Sequence, residues 1–254
     1  MRAVVSLFYG LAAYLLFLGT IVYAIGFVGN FGVPKSIDSG VSVALGETLA
    51  VDLLLLGLFA IQHSVMARPG FKRVWTQFVP KALERSTYVV FASGALLLLF
   101  WQWRPLADPV WTVTAAPAGA VLVGLFWLGW ALVFASTFLI SHFELFGLSQ
   151  VIARLLNRTP PEPVFRTPLF YRSVRHPLYL GFLIAFWSAP VMSGGHLLFS
   201  IMTTGYILVA IVFEERDLIA QFGEQYLRYK TRVGMLLPRL RARRASAIDT
   251  SFAP

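Results

Sequence analysis

Cysteine is absent from the 254-residue chain, so neither a disulfide nor a thiolate metal ligand is available, and any thiol chemistry must use a thiol brought by a substrate. Charge is scarce: 13% of residues are charged and 57% are hydrophobic, with a mean hydropathy of +0.72. That balance excludes an ordinary soluble domain and indicates a membrane protein. Acidic residues are the scarcer sign, 12 against 21 Lys and Arg, for a net charge of +9. Such an excess suits nucleic acid, an acidic substrate or a membrane surface. The basic residues sit beside apolar runs, which selects the membrane and gives no reason to expect a nucleic-acid partner. Histidine is sparse too, with four copies and no HxxH or HxxE spacing, so no metal site is expected. Repeats and low-complexity segments are missing. A cleavable leader is not expected either, because the first apolar stretch, 4–28, is too long for a signal-peptide core and no small-residue cleavage site follows it.

What is present is a series of long apolar runs. Those at 4–28, 43–66, 86–103 and 118–140 each approach the ~20 residues that a helix needs to cross a bilayer. Two shorter runs, 178–192 and 196–213, are joined only by Ser193, Gly194 and Gly195, a turn too tight for two independent spans. They read as a helical hairpin dipping into or across the membrane. The fold class expected is therefore all-α integral membrane, with four transmembrane helices plus a C-terminal hairpin, five to six spans in all. The second arm should run on without a break through Glu214 and Glu215 into a charged helix ending near Arg232.

The basic residues also set an orientation. Nineteen of the 21 Lys and Arg fall on one side of this arrangement, leaving Lys35 and Arg104 on the other. The positive-inside rule then puts both termini, and the motif that follows, on the cytoplasmic side. Trp101, Trp103 and Trp111 fall together at the opposite interface, where indoles settle for structural reasons.

Seven residues carry the strongest functional signal. Arg175 to Gly181 read Arg-His-Pro-Leu-Tyr-Leu-Gly, and Glu214, Glu215, Arg216, Asp217 and Leu218 follow beyond the hairpin. A basic and aromatic cluster and a double carboxylate thus flank an apolar segment pair, an arrangement that membrane energetics penalise unless it is used. Taken singly, Arg175 reads as a positive-inside anchor, and a His-Pro or Glu-Glu pair at a helix end as interfacial decoration. Together at this spacing they read as a binding site.

The pattern resembles the cofactor motif RHPxYxG…EExxL of the integral-membrane methyltransferases, which include the isoprenylcysteine carboxyl methyltransferases and the phospholipid N-methyltransferases. Every fixed position is filled, and the resemblance covers about 170–232. It implies S-adenosylmethionine as cofactor. Arg175 can match the cofactor's carboxylate, Glu214 or Glu215 its ammonium or ribose hydroxyls, and His176 and Tyr179 supply a hydrogen-bonding edge and a ring. Pro177 suits a first helical turn, and Gly181 lets a ligand or a neighbouring helix approach the backbone. Glu215, Leu218, Phe222, Tyr226 and Tyr229 recur at steps of three and four as one helical stripe. Glu214 falls about 100° away, so the two carboxylates need not share a role. Tyr226 and Tyr229 resemble the family's closing C-terminal helix.

A second resemblance covers about 60–235. The segments around Gln62 to Pro69, Phe71 to Arg73, Glu84 to Tyr88, Phe100 to Pro105 and Ser141 to Leu148 are similar to the bacterial methanethiol S-methyltransferases and their NnrU-like relatives. The activity it implies is methylation of methanethiol, a small thiol, to dimethyl sulfide. A simple alkanethiol is less acidic than cysteine, whose pKa is about 8.5, so a base or nearby cations should help. His63 and His142 are placed for that task at helix ends; either is equally well read as an interfacial side chain bonded to a carbonyl. His63 is slightly favoured, since Gln62 and Ser64 flank it with hydrogen-bonding groups and Asp52, eleven residues up the same helix, is placed to orient it. Glu84 and Arg85, directly before the third span, are either ordinary loop charges or groups that orient the acceptor.

The sequence thus predicts one membrane methyltransferase domain over 1–254, with a four-helix part at 1–140, a cofactor-binding hairpin and helix at 170–235 and a tail at 245–254. Its expected partners are a small thiol and membrane lipid. Two other readings stay open: methylation of a prenylcysteine carboxylate or lipid amine, and a non-enzymatic NnrU-like membrane protein or small transporter.

Overall fold

The computed structural model describes residues 1–159 and 164–239; the expected tail at 245–254 lies outside them. Four long helices appear where the apolar runs predict them: α1 (Arg2–Gly29), α2 (Leu45–Ala67), α4 (Lys81–Gln102) and α5 (Ala116–Ile140). A short α3 (Pro69–Trp75) joins α2 to α4, and α6 (His142–Leu145) and α7 (Leu148–Leu155) follow α5. The C-terminal half contains α8 (Pro177–Trp187), α9 (Gly194–Phe222) and α10 (Glu224–Arg232). Five of these helices, α1, α2, α4, α5 and α9, are long and apolar enough to cross a membrane. The protein is an all-helical integral membrane protein. Helix α4 begins five residues before its apolar run because Lys81, Glu84 and Arg85 form a polar first turn that hydropathy leaves out.

The hairpin reaches the far end of the bundle, but its two arms differ. Helix α8 has 11 residues, about 16 Å of rise, roughly half the hydrocarbon thickness. Pro190 ends it, since a proline disfavours helical geometry in the residue before it and has no N–H to donate. The chain completes the crossing as β2 (Val191–Ser193), which pairs antiparallel with β1 (Pro109–Thr112). Gly194 N–H and Gly195 N–H then donate to the carbonyls of Asp108 and Leu106 at 3.0 and 2.9 Å. This pairing satisfies backbone groups that cannot stay bare in lipid. The carbonyl of Phe186, freed where α8 stops, accepts from His196 Nε2 at 2.9 Å and Ser200 Oγ at 2.8 Å. His196 therefore caps a helix end.

Helix α9 has 29 residues, about 43 Å, longer than the hydrocarbon core. Its first twenty residues end at Phe213, so Glu214 opens the part that emerges. The expected unbroken run to Arg232 does not occur: α9 stops at Phe222, Gly223 adopts φ 54°, and α10 starts anew. Only glycine takes that conformation cheaply.

Helix α8 is clamped to α5 through two glycines. A Cβ on Gly181 would stand 2.7 Å from the Gly129 carbonyl oxygen and 2.9 Å from the Val133 nitrogen, and one on Gly129 would meet the Gly181 oxygen at 2.6 Å. Small residues permit such backbone contact where van der Waals packing drives association. Of the two uses expected for Gly181, the structure has the helix contact. Gly181→Ala is expected to cost about 1–3 kcal/mol through overpacking, read as a lower thermal midpoint in detergent. Gly205→Ala, where nothing lies within 4 Å, should not lower it; equal midpoints would overturn this account of the clamp.

The core between these helices is aromatic, with Phe27 and Phe100 rings 4.7 Å apart and Phe186 and Phe199 rings 5.0 Å apart. Trp103 belongs to it. Its side chain is fully buried and its indole N–H donates to the Ile37 carbonyl at 3.0 Å, while Trp101 and Trp111 stay exposed. The expected tryptophan belt is thus only partly correct. Trp103 follows the last residue of α4, where the chain turns inward over the bundle.

Candidate active site

The motif residues meet at the end of the bundle where α8 begins and α9 emerges. Glu215 is buried, and its carboxylate is surrounded by cations. Oε1 accepts from Arg175 Nε at 2.8 Å and lies 3.2 Å from His176 Nε2, and Oε2 lies 2.7 Å from Lys230 Nζ. Arg175 also donates from Nη1 to the carbonyls of Lys230 and Val233, and its Nη2 makes no hydrogen bond among the described residues. Backbone bonds tie the same strip together: Arg175 N–H to the Gly234 carbonyl at 2.8 Å and His176 N–H to Met235 at 3.1 Å. These contacts lock α10 and the residues after it onto the start of α8.

The neighbouring carboxylate differs. Glu214 is 42% exposed where Glu215 is 8% exposed, and its nearest cation among the described residues is His176, whose Nδ1 lies 3.8 Å away. The roughly 100° between the two on the helix sends one inward and one to the mouth. Of the other charges on this stretch, Asp217 binds Arg68 at 3.0 Å and Arg228 binds Glu224.

Tyr226 and Tyr229 still join the site despite the break at Gly223. Phe165 packs against both and against Phe222, with centroids 5.3–5.9 Å apart. Tyr229 donates to the Tyr171 carbonyl at 2.6 Å. Burial pushes the Tyr229 phenol up to about 12, opposed by Arg175. Burial, then the Glu215 charge, pushes Tyr226 up as well, so both remain donors at any ordinary pH. The Tyr226 hydroxyl is buried without a partner, the kind of orphan that a ligand satisfies. An open groove of about 470 Å³ runs along the Tyr229 side of this helix, lined by Phe165, Thr167, Gln225, Arg228, Tyr229 and Arg232 among others.

A second cluster lies nearby at the same end. His63 Nε2 is 2.8 Å from the Tyr88 hydroxyl, and His63 Nδ1 is buried with no partner. Phe59 and Tyr206 pack on its ring at 5.0 and 6.4 Å, and Ser64 donates to the Tyr206 hydroxyl at 3.4 Å. Arg85 stands 4.9 Å from the Tyr88 ring centroid and donates from Nε to the Leu145 carbonyl at 2.6 Å. Glu84 faces Lys72 at 3.8 Å. Tyr179 stands beside the first cluster, its ring centroid 5.8 Å from that of His176, and Arg68 ties the two clusters together, donating to the Ser64 carbonyl at 3.2 Å and pairing with Asp217 at 3.0 Å.

His142 is built differently and stands apart. The Thr137 hydroxyl donates to the Phe134 carbonyl, so it must accept from His142 Nδ1 at 2.8 Å, leaving Nε2 to accept from the Tyr14 hydroxyl at 2.8 Å. The ring also stacks on Phe138 at 4.1 Å, and burial lowers its pKa. Neither nitrogen is left for a substrate. Asp52 does not orient His63: its Oδ1 accepts from the Arg104 backbone N–H at 2.9 Å at the far end of α2. Eleven residues of helix, about 16 Å, separate the two, so sharing a face does not bring them into contact.

Sequence reasoning passed over Lys230, Tyr206 and Phe165. Lys230 is half-exposed and basic in a helix full of basic residues, which gave no signal distinguishing it from Arg228.

Comparison with known proteins gives the chain's relatives. It is 57% identical over 234 residues to methanethiol S-methyltransferase 1 of Bradyrhizobium diazoefficiens, covering 92% of this chain and 82% of that one. It is 56% identical over 239 residues to methanethiol S-methyltransferase of Mycobacterium tuberculosis, covering 94% and 98%. More distantly, it is 30% identical over 194 residues to Nurim of Danio rerio, covering 73% and 68%. No family model matches the chain, and no solved structure matches it.

Proposed function

The chain belongs to the methanethiol S-methyltransferase family, and on that premise we propose that it transfers a methyl group from S-adenosylmethionine to methanethiol, giving dimethyl sulfide. The observation that carries this reading is the motif cluster at one end of the bundle, where Arg175, His176 and Lys230 close on the buried Glu215 and leave Glu214 half-exposed beside it. When bound, S-adenosylmethionine supplies a methyl on a positively charged sulfur. The residues present fit that molecule. Glu214 and the orphaned Tyr226 hydroxyl suit its ammonium and hydroxyl groups, Arg175 Nη2 suits its carboxylate, and Phe165 and Tyr229 offer ring faces beside the groove. Glu215, Arg175, His176 and Lys230 brace the site from within.

For the acceptor, His63 Nδ1 takes the thiol proton. Phe59, Tyr88 and Tyr206 enclose it in an aromatic setting that suits a small apolar molecule and excludes water. Arg85 ties the start of α4 to the α6–α7 segment and holds Tyr88 from beneath; Glu84 and Lys72 fix the loop beside it. Incubating the purified protein with methyl-labelled cofactor and a panel of thiols, amines and prenylcysteines tests the assignment. Label is expected in dimethyl sulfide, and label confined to a prenylcysteine ester or a lipid amine would overturn it.

The active end faces the cytoplasm in this reading, supported by the order of apolar runs and basic residues in the sequence, which assigns 19 of the 21 Lys and Arg to one side. Single cysteines placed at Val41 or Asp108 should react with an impermeant reagent on intact cells, and ones at Gln77 or Thr159 should not. No native cysteine interferes. Labelling at Gln77 would reverse the orientation.

A further inference from the structure

We propose that Arg68 is a positioning residue that fixes the acceptor cluster on α2 against the methyl-donor cluster on α9. The inference rests on the reading of those clusters as the two halves of one transfer site. His63 and Ser64 lie near the C-terminus of α2, and Tyr206, Glu214 and Glu215 belong to α9. Arg68 is the first residue after α2. Its backbone N–H turns back to the Val65 carbonyl at 3.1 Å, so the Ser64 carbonyl loses the partner that a continuing helix would give it. The side chain replaces that partner: Arg68 Nε donates to the Ser64 carbonyl at 3.2 Å. The guanidinium is thereby fixed to the helix end beside His63. Its other edge reaches α9, where Nη1 pairs with Asp217 Oδ2 at 3.0 Å and Cζ lies 5.3 Å from the Phe213 ring centroid. Phe213 and Asp217 are one turn apart and flank Glu214 and Glu215 in sequence. One rigid planar fork thus holds both helices, which a single lysine ammonium could not do.

Two observations favour position over stability as its role. The Arg68 and Asp217 side chains are 34% and 44% exposed, and so exposed an ion pair adds little to stability. The other side-chain hydrogen bond between α2 and α9 among the described residues is Ser64 to Tyr206 at 3.4 Å, too long to set a spacing by itself. Spacing is what the reaction needs, because acceptor and donor groups stand on different helices and a displacement of about 1 Å can cost about a hundredfold in rate.

The test uses full-length protein in detergent. Arg68→Gln and Asp217→Asn should each lower kcat for methanethiol roughly tenfold, with its KM, S-adenosylhomocysteine affinity and the thermal midpoint close to native. The double variant should fall no further than either single one, because both remove the same tie. Position is read without activity from spin labels on cysteines placed at Ile61 and Val209, both exposed, in a chain with no native cysteine. The distance distribution should be narrow in the otherwise native protein and broader with Arg68→Gln or Asp217→Asn. If Arg68→Gln fails to fold, Asp217→Asn carries the same test and leaves the α2 end capped. An unchanged distribution would overturn the tie, and a broader one with native kcat would overturn its role in positioning. A native protein that leaves methanethiol unmethylated would instead refute the reading of the site, with the label distances still deciding whether Arg68 holds the two helices.

Discussion

Replacing His63 with alanine is expected to lower turnover about a hundredfold or more at pH 7 while leaving S-adenosylhomocysteine affinity intact. The acceptor is mostly protonated at neutral pH, and a neutral imidazole with one unpartnered ring nitrogen can take up its proton. Activity should recover in part at alkaline pH, where solvent ionises the thiol. His142→Ala provides the contrast. Its two ring nitrogens bind Thr137 and Tyr14 and its ring stacks on Phe138, so its loss should lower the thermal midpoint and leave kcat per folded molecule close to native. Near-native turnover in both variants at pH 7 would remove histidine from the chemistry and point to capture of preformed thiolate.

Of the grounds that favour His63 in the sequence, the one drawn from Asp52 fails in the structure. Asp52 shares a helix with His63, and a shared face is legible from spacing, but the axial distance of three turns rules out contact. What distinguishes the two histidines is partner count at each ring nitrogen, and while Thr137 is local to His142, Tyr14 and Tyr88 arrive from elsewhere in the chain. Sequence separations of 128 and 25 residues hide those pairings.

Local chemistry was far more readable. The four long apolar runs became helices with ends shifted by no more than five residues, because helix length in a bilayer is fixed by thickness. The charged and aromatic motif residues also come together in one cluster, since charges at that depth need partners. Features that depend on tertiary contact were not readable. Val191 to Ser193 looks like the end of an apolar helix and becomes a strand because Pro109 to Thr112 offers it an edge. Trp103 looks interfacial by position and is buried because the Ile37 carbonyl lies where its N–H can reach. The break at Gly223 was visible as a glycine, yet the helical stripe across it was regular enough to mask it.

The two adjacent carboxylates should separate into a structural and a ligand-binding role, and this differs from what their shared motif suggests. Glu215→Gln leaves Arg175 and Lys230 facing a neutral amide in a buried site. Breaking a buried ion pair from one side costs about 3–5 kcal/mol. The thermal midpoint should therefore fall by on the order of 10 °C for a chain of this size. Binding of S-adenosylhomocysteine should be lost with it, because α10 and its two tyrosines are held through the same cations. Glu214→Gln removes a carboxylate that is 42% exposed and has no cation closer than 3.8 Å, so the fold should be nearly indifferent. The loss should appear in the ligand: one charge-assisted hydrogen bond is worth roughly 1.5–3 kcal/mol, or about ten- to hundredfold in affinity. Thermal melts and calorimetry with S-adenosylhomocysteine on both variants read the two effects separately. Equal melting of both variants, or native affinity in Glu214→Gln, would return the ligand-binding role to Glu215, whose carboxylate would then have to release Lys230 to take up the cofactor's ammonium.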